Sequence, residues 1–328
     1  MSAVATRRAW AELLRLPALF TVPGDALAGA AATRLRPNHR TLLAIGSSLC
    51  LYEAGMALND WADRAEDAVE RPERPLPSGR IAPPAALTAA TALTAAGLAL
   101  ASRAGRPALA VAGALAGTVW AYDLGLKHTP AGPAAMATAR GLDLLLGATA
   151  TAGPDHSPRA RVTAAAPSAT ALAAHTLAVT VVSRREAQGG SSTAPLAALA
   201  TTAALTTLIG TTRRASVVGR VLQRGRPAPR EQVGLGGGPN LRNAADTARR
   251  ALPGALALAY AGTAARPLFH AVLNPSPPLT QRAVGGGIRA MIPLQAALTA
   301  RTGAPATALL TAALAPAARR FARRVSVT

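Results

Sequence analysis

Long stretches of this chain carry no aspartate, glutamate, lysine or arginine: Ile81–Ser102, Pro107–Tyr122, Val162–Ser183, Ala187–Thr212, Ala251–Ala265 and Thr302–Ala318. A helix that crosses a bilayer needs about 20 mostly apolar residues. Three of these stretches reach that length unaided, and others reach it by admitting one ionisable residue near an end. Two further apolar spans are broken by single acids, Leu16–Thr33 by Asp25 and Thr41–Leu58 by Glu53, and residues 131–152 carry Arg140 and Asp143. The pattern predicts an all-α, multi-pass membrane helix bundle with about nine spans around a central cavity. They are placed near 12–32, 41–60, 83–102, 106–123, 131–152, 162–182, 193–212, 251–272 and 284–301, with a short tenth helix near 303–318. Connections are short, so one domain over 1–328 is expected. The exception is a basic, Gly-rich loop at about 213–250.

Composition agrees. Half the 328 residues are apolar and 15% are charged, against about 25% in ordinary soluble domains. Disorder is excluded by the apolar content, and a disulfide scaffold by the single cysteine, Cys50. The formal charge is 35 − 15 = +20, and 34 of the 35 basic residues are arginine. Such a charge suggests a polyanionic partner. With only 3% aromatic residues there are few platforms on which bases could stack, so nucleic acid is not the expected partner.

The informative charges are local. Residues 53–73 hold seven of the fifteen acids: Glu53, Asp60, Asp63, Glu66, Asp67, Glu70 and Glu73. Within Asn59-Asp60-Trp61-Ala62-Asp63-Arg64-Ala65-Glu66-Asp67, positions 60, 63 and 67 share one face of a helix. Three carboxylates on one face repel, and something cationic must compensate. A hard divalent cation takes oxygen ligands, and Mg²⁺ typically binds one or two carboxylates plus substrate phosphates. The next segment, Arg71-Pro-Glu-Arg-Pro-Leu-Pro-Ser-Gly-Arg80, is stiffened by proline. It offers Arg71, Arg74 and Arg80, whose guanidinium groups suit phosphate oxygens.

The order N-D-x-x-D-x-x-x-D followed by R-P-x-R-P-L-P-S-G-R-I resembles the UbiA superfamily of intramembrane prenyltransferases. Tyr122-Asp-Leu-Gly-Leu-Lys127 resembles that family's Y-x-x-x-x-K segment, and Lys127 is the sole lysine. Arg140-Gly-Leu-Asp143-Leu-Leu-Leu-Gly147 is similar to its R-G-x-N-x-x-x-G stretch, with Asp143 where asparagine is usual. The family's second acidic motif is incomplete: Arg184-Arg185-Glu186 offers Glu186 for the first aspartate, but Gly190 replaces the second. Together with residues 289–295, this departure resembles a divergent actinobacterial, secondary-metabolite branch.

The resemblance implies a multi-pass protein of a bacterial cell membrane. It would move a prenyl group from a prenyl diphosphate to a small, aromatic or secondary-metabolite acceptor with Mg²⁺. Asp60, Asp63 and Asp67 would hold the metal, joined by Glu186, and with Lys127 would form the catalytic set. Asn59, Arg71, Arg74, Arg80, Tyr122, Arg140, Asp143, Arg185 and Glu186 would bind substrate. A terpene cyclase without acceptor, or a non-catalytic isoprenoid-binding or export-assisting protein, are the other functions compatible with the motif. Asp25 and Asp143 either orient an acceptor or serve structure, Asp143 by an i, i+3 pair with Arg140 and Asp25 as a helix-end residue. A cytoplasmic N-terminus would put the Asp60, Lys127 and Glu186 loops on one side, with the basic loop opposite.

Overall fold

A computed structural model describes residues 3–153, 156–186, 189–211 and 241–325, and they fold into helices. The described α-helices are α1 (Ala3–Leu13), α2 (Val22–Ala32), α3 (His39–Ala62), α4 (Arg64–Glu70), α5 (Pro83–Ala104), α6 (Arg106–Leu124), α7 (Gly132–Ala152), α8 (Pro158–Ser183), α9 (Thr193–Gly210), α10 (Leu241–Leu273), α11 (Pro277–Arg301) and α12 (Pro305–Val325). Five of them, α3, α5, α6, α8 and α9, are long and apolar enough to cross a membrane. The fold is the all-helical membrane bundle expected, with five candidate spans among the described residues where about nine were expected.

Starts and stops follow local chemistry. Proline occupies the first turn of α5, α6, α7, α8 and α11, where its missing N–H has no helical partner to lose. Asn38 caps α3 with a full capping box: its side chain accepts from the N–H groups of Arg40 and Thr41, and Thr41 Oγ1 accepts from Asn38 N–H at 2.9 Å. Threonine is tolerated within the spans because its hydroxyl donates to a carbonyl one turn back, as Thr88 does to Pro84, Thr118 to Ala114 and Thr138 to Ala134.

The axis of the bundle is α7, with 14 of 21 residues buried, whereas α5 buries five of 22 and turns most of its surface outward. Leu144 packs into a core shared with α8 through α11 (Leu172, Ile209, Tyr260, Leu294), and Leu146, on the other face of α7, into a core with α3, α5 and α6 (Leu51, Ala101, Leu115). Hydrocarbon solvent gives apolar side chains little reason to associate, so membrane helices approach through small residues. Here α2 and α7 meet at Gly29 and Gly147. A Cβ on Gly29 would stand 2.1 Å from the Leu144 carbonyl oxygen, and one on Gly147 would stand 2.4 Å from Ala26 Cα.

Four expectations change. The span placed at 12–32 is divided: α1 ends at Leu13, Arg15 adopts a left-handed conformation (φ 49°), a 3-10 turn covers Leu16–Thr21, and α2 has only 11 residues. The helix carrying the acids breaks at Asp63, between α3 and α4. The helix expected to begin at 251 begins at Leu241, because its polar opening residues extend the helix beyond the apolar run. Residues 241–250 of the expected loop are therefore helical, and 213–240 lie outside the described residues. The short tenth helix is a 21-residue element, α12.

Gly147→Val is expected to force α2 and α7 apart. Overpacking of this kind costs about 1–3 kcal/mol, to be read as a lowered unfolding temperature of the detergent-purified protein.

Candidate active site

The end of α3 continues nearly unbroken into α4. Asp63 N–H bonds the Asn59 carbonyl at 2.9 Å, and Asp67 N–H bonds that of Asp63 at 2.8 Å. The helical rotation therefore carries across the break and leaves Asp60 and Asp67 on one side. Both are buried, at 5% and 3% exposure. Arg74 reaches both, 2.7 Å from Asp67 and 3.8 Å from Asp60, while Arg71 lies 3.7 Å from Asp67 and Arg15 lies 3.1 Å from Asp60. Asp63 takes different partners. Its carboxylate takes Lys127 Nζ at 2.5 Å and the Asn59 side-chain amide at 3.1 Å.

The proline-rich loop reaches the acids because it is folded onto itself. Ser78 N–H bonds the Arg74 carbonyl, Ile81 N–H bonds that of Pro75, and Gly79 takes a φ of 71°. Buried Leu76 and Ile81 join Leu13 of α1 and Leu58 of α3 in a small apolar cluster. Arg80 does not face the acids. It clasps Glu12 of α1 with two bonds, 2.6 and 3.0 Å, and donates to the Glu73 carbonyl. This clasp fastens α1 over the loop.

Beneath this rim lies a cavity of about 270 Å³ between α3, α6 and α7. Asn59, Tyr122 and Asp123 line its outer end, Met56, Leu115 and Val119 its middle. Ser48, Arg140 and Asp143 also line it. Ser48 precedes Asn59 by 11 residues, about 16 Å along α3. Asp123 was missing from the sequence expectations. It is 4% exposed, hydrogen-bonded to Asn59, and stands among the other carboxylates. The available signal was its place beside Tyr122 in the segment that ends at Lys127.

The inner end is a buried polar network. Arg140 pairs with Asp25 at 2.5 Å rather than with Asp143, and Gln295 donates to Asp25 and to the Thr21 carbonyl, both at 2.7 Å. Asp143 instead accepts from the Ser48 hydroxyl. An isolated charge in a span is costly, and such residues pair or face a cavity; Asp25, Arg140 and Asp143 do both between them.

Not every expected residue joins the rim. Arg185 is exposed, Glu186 is half-buried, and neither forms a hydrogen bond or ion pair with the carboxylates among the described residues. Arg184 instead donates to the Thr129 carbonyl, bringing the end of α8 near the Lys127 turn. Asp63, Glu66 and His128 bring ligand atoms within 4.8 Å of one another. Carboxylate and amide oxygens predominate around the rim, a donor set suited to a hard cation such as Mg²⁺.

A membrane bundle with an acid-rimmed, cation-balanced mouth over an apolar cavity defines a class, and comparison with known proteins agrees. Residues 18–218 match the UbiA prenyltransferase family, and the chain belongs to it. It is 36% identical over 128 residues to the digeranylgeranylglyceryl phosphate synthase of Methanopyrus kandleri, covering 38% of this chain and 45% of that one. To the same-named protein of Methanothrix thermoacetophila it is 39% identical over 114 residues, covering 34% and 43%. The chain spans about half the length of the curated relatives it matches. The fold is shared with a UbiA homolog from Aeropyrum pernix (TM-score 0.56, 19% identity, 83% and 96% coverage). It is also shared with one from Archaeoglobus fulgidus solved with GPP and Mg²⁺ (TM-score 0.55, 16% identity, 94% and 99% coverage).

Removing one member of a buried ion pair costs about 3–5 kcal/mol, because the other is left uncompensated. Arg140→Leu should destabilise by that order, and Asp25→Asn combined with Arg140→Gln should recover part of the loss in the same detergent unfolding assay.

Proposed function

We propose that this protein transfers a prenyl group from a prenyl diphosphate to an acceptor held in the cavity. The observation that carries the reading is the juxtaposition of phosphate-binding cations with a carboxylate cluster at the mouth of an apolar chamber. Lys127, Arg71, Arg74 and Arg15 are placed to take up the negative charge of a diphosphate. Each presently answers a carboxylate, so a diphosphate arriving with a divalent cation exchanges one set of partners for another. Asp60, Asp63 and Asp67 would hold Mg²⁺, which would neutralise charge building up on the leaving diphosphate. Guanidinium and ammonium groups fixed around that charge lower the barrier because they need no reorganisation as the bond breaks.

The prenyl chain would run inward past Met56, Leu115 and Val119, with Tyr52 on the same stretch of wall. Excluding water there prevents hydrolysis. A polar acceptor would find Ser48, Asp143 and Arg140 along the same wall. Those groups favour transfer, since they could orient a polar acceptor and take up the proton it loses on alkylation. The same chemistry on the rim disfavours a purely non-catalytic carrier. The relatives' name points to a glyceryl phosphate lipid as acceptor, and the resemblance to a divergent secondary-metabolite branch to a small aromatic one. An assay offering both classes decides.

The purified protein should release diphosphate from geranyl or geranylgeranyl diphosphate with Mg²⁺, and fastest when a competent acceptor is present. Release of a cyclic hydrocarbon without acceptor would overturn the transferase reading. Asp60→Ala and Asp63→Ala should each lower turnover by at least about a hundredfold, the scale of losing a principal charge-stabilising group. Asp123→Asn tests whether the carboxylate beside Asn59 is needed, with a drop in turnover at unchanged fold expected.

A further inference from the structure

A second polar cavity, of about 550 Å³, lies at the opposite end of the bundle. Its placement follows from topology. The Asn38 side chain at the start of α3 bonds the Thr151 carbonyl near the end of α7, so that end is remote from Asp60 by the length of α3. The 24 residues of α3 correspond to about 36 Å. The cavity is bounded by the end of α9 at Gly210, the opening turns of α10, the end of α11, and Pro305 at the start of α12.

Three arginines, Arg249, Arg250 and Arg301, line it against one carboxylate, Asp246. None of the three forms a salt bridge among the described residues. Their level in the bundle is fixed by sequence. Arg250 is the last charge before the run Ala251–Ala265, and Arg301 ends α11 directly after the buried segment Leu294–Ala300. Gly210, also in the lining, ends α9, which is long and apolar enough to span, so the cavity lies where that helix leaves hydrocarbon and meets head groups. On the helices that bound the cavity, exposed leucines follow within about a turn of lining positions: Leu208 beside Gly210 on α9 (51%), Leu258 after Gly254 on α10 (69%), and Leu309 and Leu310 after Pro305 on α12 (56% and 58%). Guanidinium groups at the helix ends, with exposed leucines about one turn further along the same helices, suit a phosphate joined to acyl chains better than a free phosphate. Basic pockets between membrane helices bind anionic head groups.

We propose that this cavity binds the phosphate head group of an anionic phospholipid, seated between α9, α10, α11 and the start of α12. The site is independent of the prenyl-transfer reading. The test uses the full chain in detergent, with phosphatidylglycerol, phosphatidylcholine and inorganic phosphate as probes, read by unfolding temperature and by lipid retention in native mass spectrometry. Phosphatidylglycerol should stabilise the wild type and remain bound, with phosphatidylcholine weaker and inorganic phosphate without effect. Arg249→Gln with Arg250→Gln, and separately Arg301→Gln, should each weaken phosphatidylglycerol binding by about tenfold, equivalent to ~1.4 kcal/mol. Asp246→Asn should strengthen it, a gain that misfolding cannot mimic. Equal stabilisation by phosphatidylcholine, full stabilisation by inorganic phosphate, or unchanged phosphatidylglycerol binding in the arginine variants would overturn the proposal.

Discussion

Four carboxylates gathered at one end of a membrane bundle repel one another, and the architecture of that end is the answer to their repulsion. Asp60, Asp63, Asp67 and Asp123 are met by cations from three different segments: Arg15 from the bend between α1 and α2, Arg71 and Arg74 from the loop after α4, and Lys127 from the turn after α6. Asp60 and Asp67 are buried, so leaving either without a cation is costly; the half-exposed Arg15 and Arg71 contribute less than the more enclosed Arg74 and Lys127. The left-handed bend at Arg15 and the folding of the proline loop bring these side chains to the acids. The Arg80–Glu12 clasp and the apolar cluster of Leu13, Leu58, Leu76 and Ile81 then fix the arrangement.

A second electrostatic constraint shapes the interior. Asp25 has no exposure at all, and its charge is compensated by Arg140 and by the Gln295 amide. These partners belong to α2, α7 and α11, so the pair stitches the short α2 into the bundle where it lacks the length to span alone. Gly24 makes the seam possible: a Cβ there would fall 2.1 Å from Gln295 Oε1. The close glycine contacts between α2 and α7 and this polar stitch act on the same element. A wedge at either should loosen the inner wall of the cavity.

Much of this was legible in the sequence, for definite reasons. Charge-free runs of membrane length marked most spans, since hydrocarbon admits few ionisable groups. The spacing of Asp60, Asp63 and Asp67, with Lys127 downstream, marked the rim. Tertiary partners were not legible. Arg140 has Asp143 three residues away, yet pairs with Asp25, 115 residues distant, and Arg80 looked as suited to phosphate as Arg74. Spacing fixes which residues share a face but not which cation arrives there. Apolar length also misplaced helix ends. The polar opening of α10 reads as loop to a membrane criterion, though its alanine-rich backbone is content to be helical. The apolar run near the N-terminus reads as one span although the chain bends at Arg15.

Lys127 has a consequence beyond charge. As the chain's sole lysine, it is the one side-chain primary amine in the protein, and it lies against Asp63 at 8% exposure. Reagents that acylate or reductively alkylate amines therefore address a single side chain, at the mouth of the cavity. The rate at which that amine reacts reports directly on whether the mouth is closed by its own carboxylates or opened by an incoming anion.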